Sequence, residues 1–511
     1  MAARERAMTL GELIGGLDEA RPSEGGATIE IGSLAYDSRD ATPGSLFFCV
    51  SGFQSDGHDH APQAVQNGAV ALVVERPLGL GVPEVRVPSA RAAMAPLAAR
   101  FYGEPARELR VVGVTGTNGK TTTAYLVRAL LEAAGTQCGL LGTVKSVIGG
   151  QDRAVARTTP EAIDLQADLR AMLTAGDRAC AMEVSSHALA LGRTDAISFA
   201  AAIFTNLTQD HLDFHPTMED YFLAKRSLFL PEQGERPAAS VVNVADPYGK
   251  RLADEVEGAI TFAVEADADY MATDLRCGHD GCRFLLRTQA GERVVTLGMP
   301  GRFNVANALA ALAAANAIGV PLDALIEALG DGVRVPGRFE PVDEGQDFAV
   351  LVDYAHTPDS LENVLRAARE LLPPDGRVIC VFGAGGDRDR GKRPLMGHIA
   401  VSLAEEVIVT SDNPRSEDPE AIIEEIFTGI HDSAPVDHPG GGYTANGVAD
   451  RRVAIQFAVE QARAGDVLVI AGKGHEQGQE FAGGSKLPFD DVSVAREALL
   501  ARKQGVPAGA Q

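Results

Sequence analysis

Between Val111 and Thr122 the chain reads Val-Val-Gly-Val-Thr-Gly-Thr-Asn-Gly-Lys-Thr-Thr, an apolar run that breaks into glycines and then into a lysine and two hydroxyls. A strand, a glycine turn and a helix N-terminus in that order aim backbone N–H groups at one point, which suits phosphate oxygens. Lys120 can reach the terminal phosphates of a nucleotide, and the Thr121 hydroxyl can bind Mg²⁺. The usual phosphate-loop pattern wants glycine where this chain has Val114, and glycines stand at 113 and 116 instead. The competing reading is a chance turn ahead of a helix. The Gly-Lys-Thr-Thr core directly after a clean strand argues against it.

Two more polar clusters follow apolar runs. Met182-Glu183-Val184-Ser185-Ser186-His187 puts a carboxylate at the end of a strand, where the Mg²⁺ of a nucleotide wants an oxygen ligand. The second, Thr205-Asn206-Leu207-Thr208-Gln209-Asp210-His211-Leu212-Asp213-Phe214-His215, mixes hydroxyls, amides and imidazoles. Taken alone each is weak, because a strand-end glutamate is often a solvated or capping residue.

Toward the C-terminus, Gly385-Gly386-Asp387-Arg388-Asp389, Asp412-Asn413-Pro414-Arg415 and Gly472-Lys473-Gly474-His475-Glu476 each follow an apolar run. Ligands of open parallel sheets bind beyond the carboxyl ends of the strands, so these loops can converge on one pocket. Arg388 and Arg415 match carboxylates and Glu476 matches an ammonium. A ligand whose side chain carries both an amine and a second carboxylate fits that set, whereas lysine would face Arg415 unfavourably. The bland alternative is that the arginines are ordinary surface cations.

The elements that must hold these groups are legible as apolar runs of strand length. They fall at Ala69–Val74, Glu84–Val87, Leu109–Val114, Ala179–Val184, Ala200–Phe204, Ala349–Val352, Arg377–Phe382, Glu406–Thr410 and Asp466–Ile470. Helical patterns lie between them, including one through Leu131 and an Ala-rich stretch at Asn304–Ala317. Breaks at Gly103-Glu104-Pro105 and Val335-Pro336-Gly337 divide the chain into segments 1–106, 107–336 and 337–511. The class is α/β: a small N-terminal α/β domain, a central P-loop-type domain with a mostly parallel sheet, and a C-terminal Rossmann-like domain. Gln504–Gln511 reads as a frayed tail.

At 511 residues the chain needs more than one core. Its net charge of -24 repels a nucleic-acid backbone, so any phosphate site must be built locally. No apolar run approaches the ~20 residues that span a bilayer. The start, Met1 to Met8, lacks the apolar stretch of a secretory signal. The 6 cysteines are scattered. Only Cys277 and Cys282 lie close together; a zinc site there would need more ligands than His279, so free thiols in a reducing cytosol are expected.

Thr-Gly-Thr-Asn-Gly-Lys-Thr-Thr resembles the short phosphate loop of the Mur ligases and of the related folylpolyglutamate synthetases. Glu-Val-Ser-Ser-His, the Asp210-His211 cluster, Tyr36-Asp37-Ser38-Arg39 and Asp-Asn-Pro-Arg extend the likeness to the Mur ligases over nearly the whole chain. The resemblance implies an ATP site formed by Gly116, Thr117, Asn118, Gly119, Lys120, Thr121, Thr122, Asn304, Asn307, Arg338 and Asp353. It implies Mg²⁺ on Thr121, Glu183, His211 and a carbamylated Lys225, with Lys120, Glu183, His211 and Lys225 as the catalytic group. A lysine on a helix is otherwise a solvated surface group, and only the resemblance lifts Lys225 out of that role.

By the same resemblance a UDP-muropeptide meets Ser38, Gln54, Ser55, Asp56, Thr158, Thr159, Ser185 and Arg193. Meso-diaminopimelate meets Arg388, Asp412, Asn413, Pro414, Arg415, Gly472 and Glu476. Two positions depart from patterns common in relatives: Arg157, where asparagine is frequent, and Leu191, where some have glutamine. Both are left out of the site, and His356 is given no role.

The implied reaction is ATP-dependent addition of meso-diaminopimelate to the D-glutamate of UDP-N-acetylmuramoyl-L-alanyl-D-glutamate through an acyl phosphate. That makes the chain a cytoplasmic, monomeric enzyme of peptidoglycan precursor synthesis. The ligase for the next step, adding D-alanyl-D-alanine, shares the first-domain motifs but not Glu-Val-Ser-Ser-His or Asp-Asn-Pro-Arg. A folylpolyglutamate synthetase would lack the Asp-Ser-Arg domain, and a regulatory nucleotide-binding module would show no turnover.

Overall fold

The computed structural model describes residues 8–505 apart from 16, 18–20, 24, 53–54, 156, 233, 279–280, 331–332 and 434–441. The tail Gln504–Gln511 therefore lies outside the described residues beyond 505, as do Gln54 and His279 and all of Met1 to Met8 but its last residue. The contacts divide the chain into two compact units. The first takes in the chain up to Thr115, then Leu131–Ile203 and Leu223–Ser240; the second holds Gly116–Leu130, Phe204–Phe222 and Val241–Gln511.

In the first unit, strands Glu84–Arg86, Ala69–Val74, Ser45–Phe48 and Ser33–Ala35 pair in parallel in that order. Alternation splits the side chains of Ser45–Phe48 between two cores. Leu46 and Phe48 pack with Met94, Leu97 and Ala98 of the helix Ala90–Phe101, while Phe47 packs with Ala61 and Ala64 of the helix Gly57–Gln66. The unit also holds the strand that feeds the phosphate loop, Arg110–Thr115. It pairs in parallel with Ala179–Glu183, which pairs in turn with Cys138–Leu141.

In the second unit, Ser240–Asn243, Ile260–Val264 and Tyr270–Gly278 run parallel, followed by the antiparallel strands Gly281–Thr288 and Gly291–Leu297. The C-terminal sheet has the order Glu340–Pro341, Ala349–Asp353, Val467–Ala471, Val378–Phe382, Glu406–Thr410, Thr444–Val448, and all pairs but the first are parallel. Both faces are covered. Val378, Cys380 and Phe382 enter one core with Leu361, Met396 and Ile426, while Ile379 and Val381 enter the other with Ile455 and Leu499. A strand buried on both faces has no polar side, which is why these segments read as unbroken apolar runs. Val467–Ala471, the last of these strands in the chain, inserts between Ala349–Asp353 and Val378–Phe382, so the loops after Val467–Ala471, Val378–Phe382 and Glu406–Thr410 leave neighbouring strands at the same edge.

One expectation is corrected. Cys277 and Cys282 are bonded to each other as a disulfide instead of being free thiols, because the hairpin places them directly opposite with Cα atoms 4.1 Å apart. The other cysteines, Cys49, Cys138, Cys180 and Cys380, are free and buried.

The C-terminal sheet is pinned at its carboxyl edge by a buried ion pair. Arg451, first residue of the helix Arg451–Gln461, sends Nε and Nη2 to the Asp491 carboxylate at 2.8 and 2.7 Å. Nη2 also donates to the Ala471 carbonyl at 2.9 Å, and both side chains are fully buried. Removing one partner strands a charge out of water, so Asp491→Ala should lose about 3–5 kcal/mol of stability in urea unfolding. The double variant Arg451→Met/Asp491→Leu should lose less. A loss under ~1 kcal/mol for Asp491→Ala would remove the pair from the account of what holds this edge.

Candidate active site

The phosphate loop in the second unit is held from below by the strand-end segment that starts at Phe204. Gly116 has φ +149 and Gly119 φ +84, and a side chain at either would collide: a Cβ on Gly116 would sit 1.9 Å from Thr205 Oγ1, one on Gly119 2.4 Å from Asn307 Oδ1. Thr205 Oγ1 donates to the Asn118 carbonyl at 2.6 Å, the Asn118 N–H donates to Asn206 Oδ1 at 2.9 Å, and the Thr117 N–H donates to the Asn206 carbonyl. Thr117 Oγ1 accepts from the Thr208 N–H at 3.0 Å. Lys120 Nζ folds back on the Gly116 and Thr117 carbonyls at 2.9 and 2.8 Å, which presents an ammonium at the mouth of the loop.

Residues far along the chain close on this loop. Asn307 accepts from Thr123 Oγ1 at 3.3 Å and donates to Asn304 Oδ1; Asn304 is buried and donates to the Pro300 carbonyl. Arg338 stacks on the Tyr354 ring at 4.5 Å and donates from Nη2 to Thr121 Oγ1 at 2.9 Å. Asn118 Nδ2 reaches Asp359 Oδ2 at 2.6 Å. Asp353 Oδ2 accepts from the Phe339 N–H at 2.6 Å. The P-loop assignments, Asn307, Arg338 and Asp353 thus fall in one region of the second unit.

Burial pushes the Asp210 carboxyl up, but His211, His356 and Lys392 outweigh it and hold the group at about 2. His211 has φ +54, and its Nε2 lies 3.4 Å from Asp210. His356, given no role above, packs 4.6 Å from the Tyr354 ring, and burial lowers its pKa.

In the first unit, Glu183 is 1% exposed and its carboxylate meets two neutral donors, the Thr143 N–H at 2.8 Å and Thr143 Oγ1 at 3.0 Å. Thr143 Oγ1 in turn lies 3.0 Å from Thr158 Oγ1. Thr159 Oγ1 donates to the Glu183 carbonyl and accepts from the Ser185 N–H, so Thr158, Thr159, Glu183 and Ser185 form one connected group. Arg193 joins it, with Nη1 on the Thr159 carbonyl at 3.1 Å and Nη2 on Glu161 at 2.7 Å. Glu161 also takes Arg157 at 3.1 Å and Arg91 at 3.5 Å, three guanidiniums on one carboxylate. Arg157, set aside on the sequence, is therefore within this group; Leu191 only ends the helix Ser186–Ala190.

The nucleotide-sugar positions are spread more thinly. Ser38 is nearly buried and its carbonyl accepts from Asn67. The Ser55 carbonyl accepts from the Gly52 N–H. Asp56 caps the helix Gly57–Gln66 and pairs with Arg76 at 2.7 Å and His58 Nδ1 at 2.6 Å, which holds its carboxyl well below the usual range. Its carboxylate is occupied by the fold.

The three C-terminal loops do converge. Arg415 donates from Nη1 to the Gly386 carbonyl at 2.7 Å and pairs through Nε with Glu480 at 3.1 Å. Arg388, exposed, donates to the Asp387 carbonyl of the same loop. Asn413 Nδ2 donates to Glu476 Oε2 at 2.8 Å, and Gly472 has φ +119 with the Asp412 carboxylate packed against it. Arginines and a glutamate thus stand on neighbouring strand ends.

Residues 114–315 match the Mur ligase middle domain, residues 337–474 the Mur ligase glutamate ligase domain, and residues 30–102 the Mur ligase family catalytic domain. A relative from Geobacillus thermodenitrificans, UDP-N-acetylmuramoyl-L-alanyl-D-glutamate–2,6-diaminopimelate ligase, is 47% identical over 94% of this chain and 96% of its own length. The chain belongs to the Mur ligase family. A solved structure of a ligase with that same description is 33% identical, covers 98% of this chain and 100% of its own, and superposes with a TM-score of 0.68. The MurF ligase of Thermotoga maritima in complex with ADP shares the fold at 19% identity, 92% and 96% coverage and a TM-score of 0.61.

This Mur ligase has the three-domain α/β architecture of its family. Sequence reasoning missed Thr143, Glu161 and Glu480 as partners that orient its named residues, and it gave no role to Thr205, Asn206 and Lys473 although they stand in its polar clusters. Lys225, raised to the site by the resemblance alone, is not the solvated group that a lysine on a helix usually is: on the helix Met218–Arg226 it is 1% exposed. Among the described residues no group of three or more His, Cys, Asp or Glu side chains stands ready to hold a metal ion. Glu183, buried with its carboxylate on the two neutral donors of Thr143, fits Mg²⁺, which takes one or two carboxylates and fills the rest of its shell with phosphate oxygens and water.

Burial pushes the Asp353 carboxyl up to about 6, against the pull of Arg338 and the Phe339 N–H. A pKa raised by folding favours the protonated form, so its stability contribution is full below about pH 4 and is lost as pH rises through about 6. Asp353→Asn lacks that loss. Relative to the parent it should gain on the order of 2–3 kcal/mol between pH 4 and pH 7, read by urea unfolding without nucleotide. A difference that does not move with pH would contradict the titration of Asp353.

Proposed function

We propose that the chain joins meso-diaminopimelate to the D-glutamate of UDP-N-acetylmuramoyl-L-alanyl-D-glutamate at the expense of ATP, in the synthesis of peptidoglycan precursors. It is a ligase that forms a carbon–nitrogen bond. The observation that carries the choice of amino acid is the convergence of Arg388, Arg415, Asn413 and Glu476 on neighbouring strand ends. Kinship with relatives described as 2,6-diaminopimelate ligases supports it.

The γ-carboxylate of D-glutamate attacks the γ-phosphorus of ATP, ADP leaves, and an acyl phosphate forms. The amine of diaminopimelate then attacks the acyl carbon, phosphate leaves, and the amine nitrogen gives up its proton as the amide forms. Lys120 offsets the charge that develops on the transferred phosphoryl group. The backbone of Gly116–Thr122 cradles the phosphates, while Asn304, Asn307, Arg338 and Asp353 hold the rest of the nucleotide. Thr158, Thr159, Ser185 and Arg193 hold the muropeptide, with Ser38 and the loop Gln54–Asp56 toward its uridine end. Mg²⁺, when bound by Thr121, Glu183, His211 and a carbamylated Lys225, supplies further neutralisation of phosphate charge. ATP and a UDP-linked muropeptide as substrates argue for the cytoplasm, and no helix among the described residues is long and apolar enough to cross a membrane.

Lys225 is buried on its helix, and carbamylation would make its side chain an oxygen ligand in place of a cation. Lys225→Ala should lose activity and recover part of it with a short-chain carboxylate, which can occupy the place of the carbamate. A Lys225→Ala enzyme as fast as the parent would return the residue to a packing role.

The amino-acid assignment is tested by kcat/KM for meso-diaminopimelate and L-lysine. The two differ by one carboxylate, and a site built to pair that group discriminates by about 10⁴ or more. Arg415→Ala should raise the KM for diaminopimelate strongly while the KM values for ATP and the muropeptide stay close to the parent's. Equal use of lysine by the parent would sink the assignment.

A further inference from the structure

Lys473 lies inside the pocket wall and none of the chemistry above uses it. Its side chain is fully buried, on a loop kept tight by Gly472 and Gly474, both at positive φ. Nζ donates to Asn413 Oδ1 at 2.9 Å and to Glu476 Oε2 at 2.8 Å, and lies 3.8 Å from Asp412 Oδ1. An ammonium has three hydrogens and accepts nothing, so these contacts fix the polarity of everything around it.

We infer that Lys473 is the positioning residue for the amino-acid substrate, the group that holds its ammonium acceptor and its carboxylate donor in one frame; this rests on the diaminopimelate reading of the pocket. Asn413 Oδ1 takes the Lys473 ammonium and the Glu480 N–H, the latter at 2.9 Å. That leaves the Asn413 amide one orientation, with Nδ2 pointing to Glu476 Oε2 at 2.8 Å. Glu476 Oε2 therefore receives two donors, one of them charged. Among the described residues Oε1 meets the Tyr354 hydroxyl, a long contact at 3.5 Å, and the side chain is 30% exposed. Oε1 is the oxygen turned to a substrate ammonium.

The same asparagine reaches the other end of the pocket. Glu480, whose N–H is held by Asn413, pairs with Arg415 Nε at 3.1 Å. The path Lys473–Asn413–Glu480–Arg415 thus ties the amine-binding carboxylate to the carboxylate-binding guanidinium and sets the distance between them. Without the ammonium the Asn413 amide is oriented by the Glu480 N–H and Glu476 alone, and the Glu476 carboxylate loses its charged donor, so the frame between the two ends loosens.

The test is steady-state kinetics of full-length Lys473→Met with each substrate varied in turn. The KM for meso-diaminopimelate should rise at least about tenfold, with kcat and the KM values for ATP and the muropeptide within about twofold of the parent. A role confined to folding would lower the active fraction, hence apparent kcat, and leave that KM unmoved. Lys473→Gln, which keeps a donor without the charge, should fall between parent and Lys473→Met, and it carries the same criteria if Lys473→Met does not fold. An unchanged diaminopimelate KM, or an equal rise for all three substrates, overturns the inference. Glu476→Gln is run alongside. If it leaves the diaminopimelate KM unchanged, the pocket reading itself fails; if it raises that KM while the Lys473 variants do not, only the role of Lys473 fails.

Discussion

An ion taken out of water must meet an opposite charge or a full set of hydrogen bonds, and this constraint shapes every station of the molecule. Lys473 meets Asn413 and Glu476, Arg451 meets Asp491, and Arg393, fully buried, meets Glu417 and Glu425 while its Nη2 holds the Gly385 carbonyl. Each of these pairs sits beneath a loop that carries named site residues. The loops are irregular, yet their carbonyls and side chains are fixed by cations that cannot leave. Parallel strands deliver the loops to one edge; buried charge gives each loop a single shape.

The nucleotide region obeys the same rule with neutral donors. Thr205 and Asn206 accept and donate around the phosphate loop, so its backbone is committed before any ligand arrives. Arg338 on Thr121 and Asp359 on Asn118 add groups from beyond residue 336 to a loop made near residue 120. Preorganised donors need no rearrangement as charge develops, which is where electrostatic catalysis draws its strength.

Much of the fold was readable because parallel strands covered on both faces must be continuously apolar: Val378–Phe382 and Val467–Ala471 differ from their expected bounds by a residue. Motifs that are local in sequence, such as Gly-Lys-Thr-Thr and Asp-Asn-Pro-Arg, were readable for the same reason. What escaped depends on contacts between distant segments. Nothing in the sequence near Lys225 says that its helix turns that side chain inward, and Cys277 and Cys282 become partners only once the hairpin register is set. Arg157 reads as a departure until Glu161 and Arg193 are seen beside it. Asp56 also caps the helix Gly57–Gln66, a role that only the fold displays.

Glu161 carries three guanidiniums, those of Arg91, Arg157 and Arg193, and the Asp164 carboxylate acts on Arg157 from beside it. In a chain that is strongly acidic overall, such a gathering of cations is a local exception. Attraction between partly exposed charges weakens as salt rises, so the grip of this corner on its own carboxylates is tuned by ionic strength.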